Sequence, residues 1–268
     1  MNKIENFNKK IINFFNHKIL ILLFKENKKI NEKNFYKSKQ IGETDPVTKH
    51  DVRIEKNLRR LINNFYPKHG IIGEEFSTKN TKSDYTWVID PIDGTKALLA
   101  GQPTWSNLIG ILYRGKALMG LANFPKLKKY YFSDGKNSYL ISNKNKKKIS
   151  TNKKMTLKKS YLVTNSIHTF KNYSVLKFLK NYKNMFKITG CDAYNFCLLA
   201  EGKIDLIIEA GLKKYDILPI LPILKNSGAI ITDWNGEQNF LDGNIVVAAN
   251  INLHKSFLKL VKKNINIE

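Results

Sequence analysis

Two cysteines, Cys191 and Cys197, are all that the 268 residues contain, and their spacing is not that of a CxxC pair. A disulfide framework is thereby excluded, and both thiols are expected to pack in the interior, as suits a reducing compartment. No unbroken apolar run reaches the roughly 20 residues that cross a bilayer. The nearest candidate, IINFFNHKILILLF, is interrupted by Asn13, Asn16, His17 and Lys18, and no small-residue cleavage site follows it. It reads as an amphipathic helix packed on the body of a soluble, cytoplasmic protein that engages no membrane. Side-chain nucleophiles are equally scarce. None of the five histidines (His17, His50, His69, His168, His254) stands in a nucleophile-like motif, and no Cys-x5-Arg loop is present. Covalent phosphoenzyme or thiol chemistry therefore has no visible carrier.

Acids are the next shortage: 22 Asp+Glu against 46 Lys+Arg, a formal net charge of +24. Such a balance suits nucleic acid, a membrane surface or anionic small molecules. Lysine far outnumbers arginine, and asparagine and isoleucine are abundant, which fits coding sequence rich in A and T, with attraction of phosphate-bearing ligands as a by-product. The most basic stretch, NKNKKKISTNKKMTLKK at 143–159, carries neither stacking aromatics nor a helical stripe of charge. It is read as a solvated connection, and no specific nucleic-acid partner is expected. A basic protein that binds RNA or another polyanion is the remote alternative.

What the chain does have is core-forming material, 42% hydrophobic and 11% aromatic residues. That supports one large domain or two intimate halves, placed at 1–142 and 143–268. In DVRIEKNLRRLINNFYP, the residues Ile54, Leu58, Leu61, Ile62 and Phe65 make one helical stripe that stops before Pro67. Strands are predicted at 86–90, 106–113, 117–124 and 129–132. Beyond the lysine-rich segment, strands at 161–164, 186–188, 205–208, 229–232 and 245–248 alternate with helices near 172–179, 193–201, 216–226 and the C-terminus. No internal repeat is found. The pattern is mixed α/β.

Against the basic background four acidic stretches stand out, each at the end of an element: TDPVTKHD (44–51), GEE (73–75), DPIDGT (90–95) and YD (215–216). Asp90 and Asp93 follow the apolar strand YTWVI, and Pro91 stiffens the turn between them. Carboxylates brought together raise one another's pKa unless a cation holds them ionised. Hard oxygen donors with no nearby His or Cys select Mg²⁺ or Mn²⁺ over zinc. Gly94 lets a phosphate approach the backbone, and Thr95 opens a helix whose N–H groups favour an anion. This combination serves metal-assisted hydrolysis of a phosphate ester by direct attack of water.

Together IIGEE, WVIDPIDGT, and YD followed by SGAIITDWNG resemble the inositol monophosphatase superfamily of Mg²⁺-dependent, lithium-sensitive phosphatases, over nearly all of 44–249. The resemblance implies the layered αβαβα sandwich of the inositol monophosphatase and fructose-1,6-bisphosphatase type, a homodimer, two to three Mg²⁺ per site (Mn²⁺ as a substitute) and inhibition by Li⁺. It implies Glu74, Asp90, the Ile92 carbonyl, Asp93 and Asp216 as metal ligands, and Gly94 and Thr95 as the phosphate cradle. Thr95, Asp45 and Glu74 become the catalytic group, with Thr95 and Asp45 orienting the attacking water. A lysine before Asp45 would assist the labile ion, Lys37 and Lys39 being equal candidates. Tyr215 and Ala229 replace residues common in the family without removing a functional group. The stretch GCDAYNFCLLAEGKIDLIIEAGLKKYD (190–216) looks most like the bacterial histidinol-phosphatase branch. Asp192 and Glu209 would there face the alcohol, and two carboxylates suit a cationic amine and imidazole better than a neutral polyol. The expected substrate is L-histidinol phosphate, of histidine biosynthesis; inositol-1-phosphate or another polyol or sugar monophosphate is the alternative.

Overall fold

The computed structural model describes residues 3–30, 48–164, 167–183, 192–239 and 243–265. The expected N-terminal helix is present as α1 (Lys3–Phe14), a π-helical turn (Phe15–Ile19) and α2 (Leu20–Asn27) in unbroken succession. Ile11, Phe15, Ile19 and Leu23 fall four apart and are fully buried. The wide turn also carries the adjacent Phe14 into the core. Helix α3 (Lys49–Phe65) begins with a capping box between Thr48 and Asp51. Its stripe Ile54, Leu58, Ile62 is buried, whereas Phe65 is 50% exposed, so the burial ends a turn earlier than the pattern suggested.

Strands β1 (Gly70–Gly73), β2 (Tyr85–Asp93), β3 (Ser106–Tyr113), β4 (Lys116–Phe124), β5 (Lys129–Ser133), β6 (Ser138–Ser142) and β7 (Asn145–Lys148) form one sheet in sequence order. Only β1 and β2 are parallel; the rest is an antiparallel meander. The lysine-rich segment thus does not begin as a loop. Asn143 and Lys144, both with positive φ, turn the chain back so that β7 pairs with β6. The divide placed at 142/143 falls inside that turn, and the first sheet runs on to Lys148. A second sheet, in the order β10-β11-β9-β8, contains β8 (Leu162–Val163), β9 (Leu206–Glu209), β10 (Ile230–Thr232) and β11 (Ile245–Ala248). Helices α4 (Thr95–Leu99), α5 (Tyr173–Asn181), α6 (Asp192–Ala200), α7 (Lys214–Ile217), α8 (Leu221–Ser227) and α9 (Ile251–Asn264) complete the elements. The helix expected over 216–226 is two, because Pro219 interrupts it, while Pro222 sits in the first turn of α8 where a proline is tolerated. The strand expected at 186–188 lies outside the described residues.

Strand alternation explains the layering. On β2, Trp87 and Ile89 meet Ile54 and Leu58 of α3 and Phe15 of the N-terminal helices, while Val88 joins Phe196 of α6 and Leu224 of α8 on the other side. On β9, Ile207 belongs to that same central cluster, whereas Leu206 and Ile208 pack with Val175 of α5 and Phe257 of α9. Helix, sheet, helix, sheet, helix is the resulting order, an αβαβα sandwich. No helix of the described residues is long and apolar enough to cross a membrane.

Candidate active site

In a regular strand, Asp90 and Asp93 would point to opposite faces. The pairing with β3 steps from Asp90↔Leu108 to Asp93↔Ser106, one extra residue on β2. That bulge at Pro91–Ile92 turns the two carboxylates to the same side. Parallel pairing of Gly73 with Ile89 then sets Glu74 beside Asp90. Asp216 arrives from the other half on the one-turn helix α7. It is held by its own cap, Lys213 N–H donating to Asp216 Oδ2 at 2.6 Å. Just beyond, Pro219 sinks into a hollow of the first sheet. A Cβ on Gly120 would lie 1.8 Å from the Pro219 carbonyl oxygen, so only glycine admits this approach.

Oxygens of Asp90, Asp93 and Asp216 come within 4.8 Å of one another. Asp93 Oδ2 accepts from Ser106 Oγ and from Ala193 N–H of α6, each at 3.1 Å. The carboxylate therefore ties the first sheet to the second half. Asp90 is buried, its Oδ1 has no hydrogen-bond partner, and it bonds to Glu74, a contact two carboxyls make only with a proton between them. Burial pushes its pKa well above the usual range, reinforced by the charges of Glu74, Asp93 and Asp216. Burial likewise drives Glu74 up to about 8, with Asp216, Glu75 and Asp51 adding repulsion. An unpartnered buried oxygen among crowded carboxylates fits a divalent cation, which would replace the shared proton and reverse these shifts. Glu74, Asp90, Asp93, Asp216 and the Ile92 carbonyl are the donors available.

The carboxylates line a cavity of about 310 Å³, together with Thr95 and, from β9, Glu209. Gly94, in the left-handed region at φ 77, breaks β2 from α4, and Thr95 leads that helix. Of the sequence-derived candidates, Glu74, Asp90, Ile92, Asp93, Gly94, Thr95, Glu209 and Asp216 meet at this one cavity. Asp192 opens α6 next to Ala193 of the cavity wall, but its side chain is outside the described set; so are Asp45, Lys37 and Lys39 entirely.

Asp51 was missed as a site residue. It is 1% exposed, accepts from the Thr48 hydroxyl and backbone N–H, and lies 3.5 Å from Thr95 Oγ1. Thr95 Oγ1 also reaches the Ile92 carbonyl at 3.0 Å. Asp51 thus makes with Thr95 the contact expected of Asp45, which lies outside the described residues. A signal was available, since Asp51 and Glu55 interrupt, at helical spacing, the face that Ile54, Leu58 and Ile62 bury.

Glu55 is a second such residue. Fully buried, it accepts from Arg59 Nε at 2.7 Å and from Glu75 N–H at 2.8 Å, while Arg59 donates to the Phe76 carbonyl at 3.0 Å. Gly73 is obligatory here, because a Cβ would stand 2.0 Å from Glu55 Oε1. The pair grips the backbone just after Glu74, at Glu75 and Phe76, and packs against Gly73 just before it, which fixes where the Glu74 carboxylate points. Glu55→Gln is expected to raise the Mg²⁺ concentration for half-maximal activity about tenfold, with kcat at saturating metal little changed. An unaltered metal requirement in a titration would show that Glu55 does not position Glu74.

A model of the inositol monophosphatase family matches residues 11–266. The chloroplastic "Bifunctional phosphatase IMPL2" of Arabidopsis thaliana is 36% identical over 228 residues, 80% of this chain and 64% of its own length, so the match spans under two thirds of that relative. A histidinol-phosphatase of Chlorobaculum parvum is 28% identical over 210 residues, covering 76% of this chain and 79% of the other. Among solved structures, an inositol monophosphatase from Zymomonas mobilis aligns with a TM-score of 0.78 over 98% of this chain and 100% of its own, at 24% identity, a likeness of fold.

Proposed function

The chain belongs to the inositol monophosphatase family, and we propose that its acid-lined cavity hydrolyses the monophosphate of a small polyol such as inositol-1-phosphate, with Mg²⁺ as the working ion. The observation that carries the reading is the convergence of Asp90, Asp93 and Asp216, from two halves of the chain, beside an N–H-rich helix start. The substrate expected from the sequence was instead L-histidinol phosphate; the match to the inositol monophosphatase family model supports the polyol side.

When bound, Mg²⁺ supplies Lewis acidity at the phosphoryl oxygens and a more acidic water. The chain's own groups do the rest. Asp51 would accept the Thr95 hydroxyl in place of the Ile92 carbonyl, and a proton given up by water to Thr95 Oγ1 would be balanced by passage of the hydroxyl's own proton to Asp51. The backbone N–H groups that open α4 lack intrahelical acceptors and suit a phosphate oxygen. Glu209, at the far end of β9, meets the alcohol.

A second reading rests on Glu209, whose carboxylate is 2% exposed yet lines the cavity. A buried carboxylate there suits the cationic amine and imidazole of histidinol phosphate, and the name of the Chlorobaculum parvum relative, histidinol-phosphatase, is in keeping with it. Steady-state kinetics on both esters separates the readings. The polyol reading expects kcat/KM to favour inositol-1-phosphate by about tenfold or more. Glu209→Gln should then cost the polyol ester little, because an amide still bonds hydroxyls. A tenfold preference for histidinol phosphate, lost in Glu209→Gln by about 10- to 100-fold as a charge-assisted contact would be, installs the second reading instead.

A further inference from the structure

A second hollow, of about 630 Å³, opens between α2 and the turn joining β4 to β5. Its size lies within the range that takes a small organic molecule. Ile21 and Phe24 of α2, Trp105 and Tyr130 supply apolar walls. Ile21 and Phe24 remain 49% and 62% exposed, although the opposite side of the same helix is buried. Lys28, Lys126, Lys128 and Lys129 also line it, and among the described residues no acid joins them. The catalytic cavity has the reverse character, five of its lining residues being Glu or Asp, three of which crowd around one point.

Trp105 adds an independent observation. Its side chain is 1% exposed and the indole N–H has no hydrogen-bond partner. A buried donor left in this state is satisfied when an acceptor enters the hollow it lines. One of the ammonium groups already lies over an aromatic face of the hollow, Lys28 at 4.3 Å from the Phe24 ring centre, whereas Lys129 donates to the Tyr194 hydroxyl outside it. A cation over Phe24 is held near the apolar surface, within reach of an anion resting on it.

We propose that this hollow binds a soluble small molecule with an apolar body and an anionic head, an aliphatic carboxylate being the simplest form. The carboxylate accepts from Trp105 Nε1 and the lysine ammonium groups, and the hydrocarbon covers Ile21 and Phe24. A second copy of this chain is a poor occupant, because a two-fold contact sets this lysine rim against itself. The floor of the hollow is joined to the catalytic turn. Asn27 and Asn123 each donate to Asn107 Oδ1 at 2.8 Å, and Asn107 Nδ2 donates to the Pro91 carbonyl at 2.6 Å. An occupant therefore sits one side chain from the segment that carries Asp90 and Asp93.

Calorimetric titration with dodecanoate and with dodecyltrimethylammonium, both below their micellar concentrations, tests the assignment. One dodecanoate per chain is expected, with the cationic amphiphile about tenfold weaker or more, as loss of charge-assisted bonds requires. Phe24→Ser and Lys128→Gln should each weaken dodecanoate several-fold and leave phosphatase activity unchanged, since neither residue touches the catalytic cavity. Trp105→Phe, with its fold checked by circular dichroism, should weaken the carboxylate without strengthening the cation. Equal affinity for the two amphiphiles would overturn the proposal, as would dodecanoate binding indifferent to Phe24→Ser. Binding to phosphatidylglycerol vesicles with none to dodecanoate would assign the surface to a membrane. Sedimentation showing a dimer that Phe24→Ser dissociates would assign it to self-association.

Discussion

Asp90→Asn is expected to abolish phosphate release and, in the absence of metal, to make the protein more stable than the wild type. The two effects have one cause. Asp90 is buried with an unpartnered oxygen and lies among Glu74, Asp93 and Asp216, so the metal-free fold bears both desolvation and repulsion. An asparagine is isosteric, and its amide can donate to the Glu74 carboxylate in place of the shared proton. It carries no charge to bury. The same neutrality removes the anion best placed to hold a cation between the two halves. Loss of several kcal/mol of charge stabilisation at the phosphoryl group corresponds to a fall in kcat/KM of about 10³ or more. Thermal melts with and without Mg²⁺ give a readout free of turnover. A ligand at one hundred times its Kd stabilises the wild type by about 2.7 kcal/mol, a shift of several degrees, whereas the variant should show almost none. A variant that melts below the wild type without metal, or that still gains stability from Mg²⁺, would remove Asp90 from the cation site.

Glu74, Asp90, Asp93 and Asp216 were legible because acids are conspicuous in so basic a chain and because each ends an element. Their convergence was less so. Placing Asp90 and Asp93 on one face depends on a bulge that exists only in the pairing of β2 with β3, and a turn-stiffening Pro91 was an incomplete account of it. Asp51 and Glu55 stayed hidden for the opposite reason. Each sits in a helix whose apolar stripe is plain from Ile54 to Ile62, and an acid between apolar positions passes for a solvated residue until the neighbouring loop is seen to need it. The β6–β7 hairpin was obscured by composition: Tyr139 to Ser142 are half-buried without alternation, and the returning strand NKKK is polar on both sides and exposed throughout. Nothing local in the sequence marks a strand whose only reason to form is an available sheet edge. The alcohol of the substrate is harder still, because it is read by the walls of a cavity to which both halves contribute.

Asp51→Asn is expected to lower kcat by about 10² to 10⁴ while leaving KM, the Mg²⁺ requirement and the melting temperature near their wild-type values. The geometry separates the two duties of this side chain. Toward Thr48 it caps α3, and toward Thr95 it presents an oxygen at 3.5 Å from the hydroxyl. Asparagine can keep the cap, since a carbonyl oxygen in the place of Oδ2 accepts both the Thr48 N–H and the Thr48 hydroxyl, which turns its amide group toward Thr95. Even a lost cap costs only about 1 kcal/mol of stability and does not reach the chemistry. What asparagine lacks is the negative charge that draws the Thr95 proton away from the cavity and leaves an oxygen lone pair facing the water. Thr95→Ala should therefore reproduce the Asp51→Asn defect, and the double variant should be little worse than either, because residues that act as one unit fail together. Thr95→Ser, which retains the hydroxyl, should recover most of the rate. Losses that multiply in the double variant would place Asp51 and Thr95 in separate roles, and a shifted Mg²⁺ requirement in Asp51→Asn would make Asp51 a support of the cation site.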